Sequence, residues 1–204
     1  MKELIIASNN PGKIEEINNV LKGLNITIKT VREAGLTEEA LEDGTTLEEN
    51  ALKKAHFVAK RLGTWAAADD TGLCIEALNG APGVYSARWA GEGADEKTMI
   101  DFALNKLADV PAGKRQAYFE TVVALVSPTG EHWLFSGKLP GQIAFEAKGK
   151  LRPKLPYSMI FIPDGFTKTF SEMTDEEKNS VSHRSIAFRK LKEFLKEKSH
   201  EGVA

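Results

Sequence analysis

One stretch of the 204-residue chain restricts its fold more than any other. Ala66, Ala67 and Ala68 form a small apolar run that breaks into Asp69 and Asp70, then Thr71 and Gly72, before a second apolar run from Leu73 to Leu78. The pattern predicts a buried strand that stops at a pair of carboxylates. In α/β sheets, ligands bind in the crevice outside the carboxyl ends of the strands, so the pair marks the expected site. Successive strand residues point to opposite faces, so one aspartate is expected to serve chemistry and the other structure. An ordinary turn is the alternative, because Asp-Thr-Gly is good turn chemistry.

The N-terminal segment carries a second polar interruption. Leu4 to Ala7 read as a short buried strand, and Ser8, Asn9, Asn10, Pro11, Gly12 and Lys13 follow as a polar loop. A helix then starts, with Asn10 as N-cap, Pro11 in the first helical position and Ile14, Ile17, Val20 and Leu21 as its apolar stripe. Strand, polar loop and helix start together suit a phosphate, and Lys13 adds a positive charge in the first turn. This is not a Walker A loop, since Ala7 and Ile14 stand where its first glycine and its Ser or Thr would be. A surface lysine on a capped helix is the alternative.

Ile26 to Val31 alternates like a strand, and Glu38 to Asp43 is an acidic loop. Thr45 and Glu48 have capping-box spacing ahead of a helix bearing Leu47, Ala51, Ala55, Val58 and Leu62 on one face. Glu42 therefore lies just before a helix N-terminus. Magnesium is commonly held by one or two carboxylates plus substrate phosphates, so Glu42 beside Asp70 would complete such a site.

Further along, Pro82-Gly83 reads as a turn and Arg88 as an arginine near the site or a structural one. Ala94 to Leu107 reads as a helix, and Ala117–Val126 with His132–Phe135 as a hairpin around Pro128-Thr129-Gly130. Lys148, Lys150, Arg152 and Lys154 form a basic stretch, either a solvated loop or a lip over an anionic ligand. A strand is expected from Met159 to Ile162, and an acidic helical turn from Thr174 to Lys178. Ser182 is the expected cap of the last helix, and Ser199 to Ala204 a frayed tail. His183 and Arg184 fall in that helix's first turn, where the macrodipole opposes a cation by a few tenths to about 1 kcal/mol. An acceptor such as a carbonyl or phosphate oxygen would relieve that cost.

With 42% hydrophobic and 27% charged residues the chain is neither disordered nor membranous. A net charge of −2 argues against a non-specific nucleic-acid binder. Met1 to Ala7 lacks the long apolar region of a secretory signal, so a soluble cytoplasmic protein without membrane partners is expected. Cys74 is the only cysteine, which excludes an intrachain disulfide and multi-cysteine zinc sites.

Five pieces in order give a resemblance: Ser8-x-Asn10-x-x-Lys13, Asp69-Asp70-Thr71-Gly72-Leu73, Ala81 through Arg88, Thr169-Phe170-Ser171-Glu172-Met173, and Lys178 through Ser182-His183-Arg184. Together they resemble the inosine triphosphatase (Ham1-type) family of noncanonical purine nucleoside triphosphate pyrophosphatases. The resemblance implies one α/β domain over 1–204, with a long curved mixed sheet flanked by helices, two lobes around a central cleft, and a homodimer. It implies magnesium-dependent hydrolysis of ITP, dITP and XTP to the monophosphate and pyrophosphate, which cleans the nucleotide pool.

On this chain the resemblance assigns phosphate binding to Ser8, Asn9, Asn10 and Lys13, and charge neutralisation to Lys13. Asp70 becomes the proton acceptor and a metal ligand, with Glu42 as second metal ligand. Thr71 touches the substrate, while Lys178, His183 and Arg184 read the base. A 6-keto purine offers an acceptor to these donors where adenine offers an amino group. The chain departs from the family's Gly-Phe-Gly-Tyr-Asp-Pro loop: Lys154-Leu155-Pro156-Tyr157-Ser158-Met159 stands there. Leu155, Tyr157 and Ser158 occupy nucleoside-binding positions, so altered selectivity, or a nucleotide-binding protein with lost catalysis, is the alternative.

Overall fold

The computed structural model describes residues 1–151 and 153–201. The fold is mixed α/β, and its elements follow in chain order as β1 (Glu3–Ile6), α1 (Pro11–Leu21), β2 (Thr27–Thr30), α2 (Leu47–Leu62), β3 (Trp65–Ile75) and β4 (Pro82–Gly83). Then come α3 (Glu96–Lys106), β5 (Gln116–Val126), β6 (His132–Ile143), β7 (Phe161–Pro163), α4 (Asp175–Val181) and α5 (His183–Glu201). Hydrogen-bonded neighbours in the sheet run β2-β1-β3-β5-β6-β7, and β4 pairs with β3. The chain forms two compact units, one of residues 1–70, 121–137 and 184 onward, the other of residues 71–120 and 138–183.

In the first unit β1 is parallel to both β2 and β3, with Leu4 opposite Trp65 and Ile6 opposite Ala67. Its core joins Leu4, Ile6, Ile17, Leu21, Val123 and Phe188, all buried. Each such side chain contributes about 1.5–3 kcal/mol by leaving water. Asn10 caps α1 with Pro11 at its first position, as the sequence predicts. The cap of α2 sits one residue later than predicted: Thr46 accepts from the Glu49 N–H at 3.1 Å, and the Thr45 N–H and hydroxyl both donate to Glu49 Oε2. Gly63 ends α2 in the left-handed region at φ 61°, which favours glycine.

The strand carrying the aspartates does not stop at them. β3 runs through Asp69 and Asp70 to Ile75, and it is the β1 ladder that ends, at Ala67. The neighbour's end, not the strand's own, leaves the acids beyond a parallel ladder.

In the second unit β3 continues antiparallel to β4, with Leu73 opposite Gly83. Pro82-Gly83 is thus a short strand rather than a turn. Gly72 is required there, because a Cβ would stand 2.6 Å from the Gly83 carbonyl oxygen. The core gathers Leu73, Ile75, Met99, Phe119, Phe161 and Phe170. Arg115, also buried, donates to the carbonyls of Leu107 at 2.7 Å, Val110 at 3.2 Å, and Ile143 and Ala144 at 3.0 Å, tying the end of α3 to the end of β6.

Three boundaries differ from the sequence expectation. Pro156 starts a 3-10 turn over Pro156–Met159, which delays the strand to Phe161. The acidic helical turn extends to Val181; Ser182 is its C-cap and also directly precedes α5, the helix it was expected to cap. Helix α5 carries through Ser199 to Glu201, where a frayed tail was expected; residues 202–204 of that tail, and Arg152 of the basic stretch, lie outside the described residues.

Candidate active site

The first unit holds the polar loop and both aspartates. Asn10 Oδ1 accepts from the N–H groups of Gly12 at 3.1 Å and Lys13 at 3.4 Å, and the Asn10 N–H donates to Ser8 Oγ at 3.2 Å. Asn9 Nδ2 donates to Glu39 Oε1 at 3.0 Å, anchoring the loop to the acidic segment. The first-turn amides of α1 are therefore already engaged, which leaves the Lys13 ammonium as the principal positive group there.

Asp69 and Asp70 separate as strand alternation requires. Asp69 Oδ2 accepts from Lys13 Nζ at 2.8 Å and from Arg184 Nε at 3.3 Å. Burial would raise its carboxyl, but Lys13, then Arg184 and Lys54, outweigh burial and hold it well below the usual carboxylate range. Arg184 Nη1 in turn donates to Glu16 Oε2 at 2.8 Å, and the side chains of Arg184 and Glu16 are each 3% exposed. The helix-end penalty predicted for Arg184 is thus relieved by two carboxylates of the protein itself.

Asp70 has other partners. Asn50 Nδ2 donates to its Oδ2 at 3.2 Å and Lys54 Nζ to its Oδ1 at 3.1 Å, both from α2. Burial pushes Asp70 up, Lys54 opposes it, and burial prevails, so its carboxyl lies above the ordinary value. A raised carboxylate is the better general base near neutral pH. Asn50 is 1% exposed, and its Oδ1 accepts from the Gly44 N–H at 2.8 Å. One amide thus ties Asp70 to the end of the acidic loop.

The two carboxylates predicted to hold metal converge on one cation. Lys54 Nζ donates to Glu42 Oε2 at 3.0 Å and to Asp70 Oδ1 at 3.1 Å, bridging them. Burial would lower the Lys54 ammonium, but Asp70, then Asp69 and Glu42, outweigh it and hold it above its ordinary value. Among the described residues no group of three or more His, Cys, Asp or Glu side chains could hold a metal. Two carboxylates at one cation locus suit magnesium, which completes its shell with phosphates and water.

The second unit holds the remaining predicted residues. Thr71 is half-buried in β3. Lys178 on α4 and His183 at the start of α5 are buried, at 6% and 5% exposure. The His183 ring stacks on Phe119 with centroids 4.6 Å apart and planes 16° apart, which fixes its orientation. Leu155 is half-buried, and Ser158 is buried with its carbonyl accepting from the Ser171 N–H at 2.9 Å. Tyr157 lies in the core, its hydroxyl donating to the Ser86 carbonyl at 2.9 Å. Burial raises that phenol far above its ordinary value. The Lys148 and Lys150 carbonyls of the basic stretch accept from the hydroxyls of Thr169 and Ser171, so its backbone is pinned. Arg88 lies over the Tyr85 ring, 5.1 Å from its centroid.

Glu16, Asn50 and Lys54 are the polar residues that sequence reasoning missed. The signal was present: on α2, positions 47, 50, 51, 54, 55 and 58 form one helical stripe, and Asn50 and Lys54 interrupt it. On α1, positions 13, 16, 17, 20 and 21 do the same with Lys13 and Glu16. Polar residues on a buried stripe are held there by partners.

The model of the Ham1 family matches residues 4–194. The chain is 45% identical to the dITP/XTP pyrophosphatase of Porphyromonas gingivalis over 195 residues, covering 96% of this chain and 98% of that protein. It is 42% identical to the dITP/XTP pyrophosphatase of Bacillus subtilis, with the same coverage. Among solved structures, it is similar to a HAM1 protein from Coxiella burnetii at TM-score 0.87 and 36% identity, covering 97% of this chain and all of that one. The Staphylococcus aureus Ham1 protein gives TM-score 0.84 at 36% identity, again over 97% of this chain.

Proposed function

Because this chain belongs to the Ham1 family, we propose that its two aspartates divide the work of one hydrolytic reaction, with Asp70 as proton acceptor and Asp69 as an anchor. The enzyme is a hydrolase of noncanonical purine nucleoside triphosphates, dITP and XTP among them, and it acts on the triphosphate anhydride to give the monophosphate and pyrophosphate. The observation that carries the assignment is the buried Asp70 carboxylate held by Asn50 and Lys54 beside Glu42.

Water attacks the α-phosphorus as Asp70 takes its proton. A bond forms from the water oxygen to the α-phosphorus, the bond to the bridging oxygen breaks, and pyrophosphate leaves. Lys13, with Ser8, Asn9 and Asn10 shaping its loop, binds the phosphates and offsets the charge that develops on them. Asp70 and Glu42 would hold magnesium, which supplies Lewis-acid polarisation of a phosphoryl oxygen. Lys54 bridges the same two carboxylates and balances their charge.

The base is assigned to the second unit, to Lys178 and to the His183 ring ordered by Phe119, with Thr71 and the turn carrying Leu155 and Ser158 on the nucleoside. Tyr157 supports that turn through Ser86 and the core. The resemblance extends base reading to Arg184, whose Nε and Nη1 donate to Asp69 and Glu16. We also propose a cytoplasmic homodimer on the family likeness; among the described residues no helix is long and apolar enough to cross a membrane.

Pyrophosphate release from ITP, dITP, XTP, GTP, ATP, UTP and dTTP, with and without magnesium, tests the reading. Magnesium-dependent release from ITP, dITP and XTP, with the other nucleotides slow, is expected. Absence of release from all seven would overturn it.

A further inference from the structure

The turn that carries Leu155 and Ser158 is fastened along its later half by three bonds within the second unit. The Tyr157 hydroxyl donates to the Ser86 carbonyl at 2.9 Å, the Ser158 carbonyl accepts from the Ser171 N–H at 2.9 Å, and the Met159 carbonyl accepts from the Lys148 N–H at 2.8 Å. Its leading side is fastened from α3: the Lys154 N–H donates to Glu96 Oε1 at 3.0 Å, 58 residues away in sequence.

Glu96 opens α3 and is half-buried. Positions 96, 99, 100 and 103 share one helical face, so its carboxylate stands a turn ahead of Met99, Ile100 and Ala103, which belong to the same core as Tyr157. Capping does not need Glu96, because Asp95 Oδ1 accepts from the Thr98 N–H at 2.7 Å. One acid caps the helix and the next holds the turn.

Lys154 is exposed and sits at φ 60°, in the left-handed region that disfavours a residue with a Cβ. Among the described residues the one other non-glycine with positive φ is Asn79, and asparagine tolerates that region. Lysine lacks that tolerance, so the surroundings must select the conformation. The acceptor on Glu96 is placed to do so.

We propose that Glu96 is a positioning residue for nucleoside binding. By accepting from the Lys154 N–H it holds Lys154 left-handed, and that bend sets how Leu155 enters the 3-10 turn. The inference rests on the assignment, made above, of this turn to the nucleoside. Without the acceptor, Lys154 relaxes toward negative φ and Leu155 swings, while Tyr157 and Ser158 stay tied by their own bonds. Glu96 touches no substrate in this scheme.

A plain structural role for Glu96 is the favourable effect of an acid near a helix N-terminus. Two conservative substitutions separate that role from the bond. Glutamine keeps an oxygen acceptor and removes the charge; aspartate keeps the charge one methylene short of the Lys154 N–H.

The test is equilibrium binding of dIMP and, separately, of pyrophosphate to the intact wild-type protein and its variants at fixed magnesium, by calorimetry. Glu96→Ala is expected to weaken dIMP about fivefold, the lower end of the left-handed penalty for a side chain with a Cβ, and to leave pyrophosphate, which has no nucleoside, unchanged. Glu96→Gln should bind dIMP within about twofold of wild type. Glu96→Asp should weaken dIMP in the same direction as Glu96→Ala, so it carries the comparison if Glu96→Ala does not fold. Glycine takes positive φ about as readily as negative, so in a Lys154→Gly background Glu96→Ala should weaken dIMP by no more than about twofold.

Equal loss of both ligands in Glu96→Ala would mark a role in stability alone and overturn the inference. So would a loss in Glu96→Gln with Glu96→Asp spared, which would assign the effect to charge at the helix end, or an undiminished loss in the Lys154→Gly background. Unaltered dIMP binding in Glu96→Ala, with wild-type release of pyrophosphate from dITP intact, sinks the role of Glu96 and leaves the proposed function standing. A wild-type protein that neither binds dIMP nor releases pyrophosphate removes both.

Discussion

Asp69 and Asp70 are neighbours in sequence and opposites in environment. The Asp69 carboxylate is 1% exposed, is bonded by Lys13 and Arg184, and is held far below the usual carboxylate range. The Asp70 carboxylate is 12% exposed, is bonded by Asn50 and Lys54, and is raised by burial. The difference follows from one rule of strand geometry: consecutive side chains meet different elements, here α1 and α5 for Asp69 and α2 for Asp70. A pair of acids thereby yields one carboxylate held low by two bonded cations and another raised by burial.

The largest effect that would break this comparison is on turnover. Asp70→Asn removes the proton acceptor but keeps the shape, so kcat should fall at least about 10³-fold, as for loss of a group acting in the transition state. Thermal stability should fall only slightly, since the amide keeps one acceptor for Asn50 or Lys54 and loses the other, while a costly buried charge disappears. Steady-state pyrophosphate release and a melting curve on the same preparation decide it: retained turnover would remove Asp70 from the mechanism.

Asp69→Asn should invert that pattern. Lys13 and Arg184 would lose the carboxylate that balances them, and breaking a buried pair costs about 3–5 kcal/mol. For a chain of this size each kcal/mol lowers Tm by roughly 2–4 °C, so a fall of roughly 6–20 °C is expected. The pH dependence has a definite sign. Because the folded protein holds Asp69 below its ordinary value of 3.8, its stabilisation is fully present above that value and is lost as pH falls toward the folded value. The gap between wild type and Asp69→Asn should therefore be constant near neutral pH and narrow below about pH 4 in denaturant titrations. A gap that persists unchanged in acid would show that packing, not charge, makes the difference.

The sequence made half of this site legible. Asn10, Pro11 and Lys13 announced a capped helix start, and two adjacent aspartates in an apolar run announced a division of roles; both rest on local rules. What local rules could not supply was the partners. Glu16 follows Glu15, Lys54 follows Lys53 and Asn50 follows Glu48 and Glu49, so polar neighbours mask the place of each on its apolar stripe. Their burial is decided by β3 and α5, which arrive from distant sequence. The strand end was misplaced for a related reason: the apolar run sees its own polarity, but the ladder is ended by β1.

The smallest effect concerns how Asp70 is aimed. Asn50 spends both ends of its amide, one on Asp70 and one on the Gly44 N–H, so Asn50→Ala leaves a buried N–H and a carboxylate oxygen without that donor. Such losses cost about 1–3 kcal/mol, and kcat should fall by about tenfold as the carboxylate loses one of its two anchors. Deletion alone cannot separate aiming from stability, but Gly44→Ala can. A Cβ at Gly44 would stand 2.5 Å from Asn50 Oδ1, so that substitution deletes no donor and instead pushes the amide from its place. If position matters, Gly44→Ala should lower kcat in the same direction as Asn50→Ala, with KM for dITP little changed in both. If Gly44→Ala keeps full kcat while Asn50→Ala does not, the amide acts on Asp70 by its hydrogen bond alone, and the acidic loop bearing Glu42 has no part in aiming it.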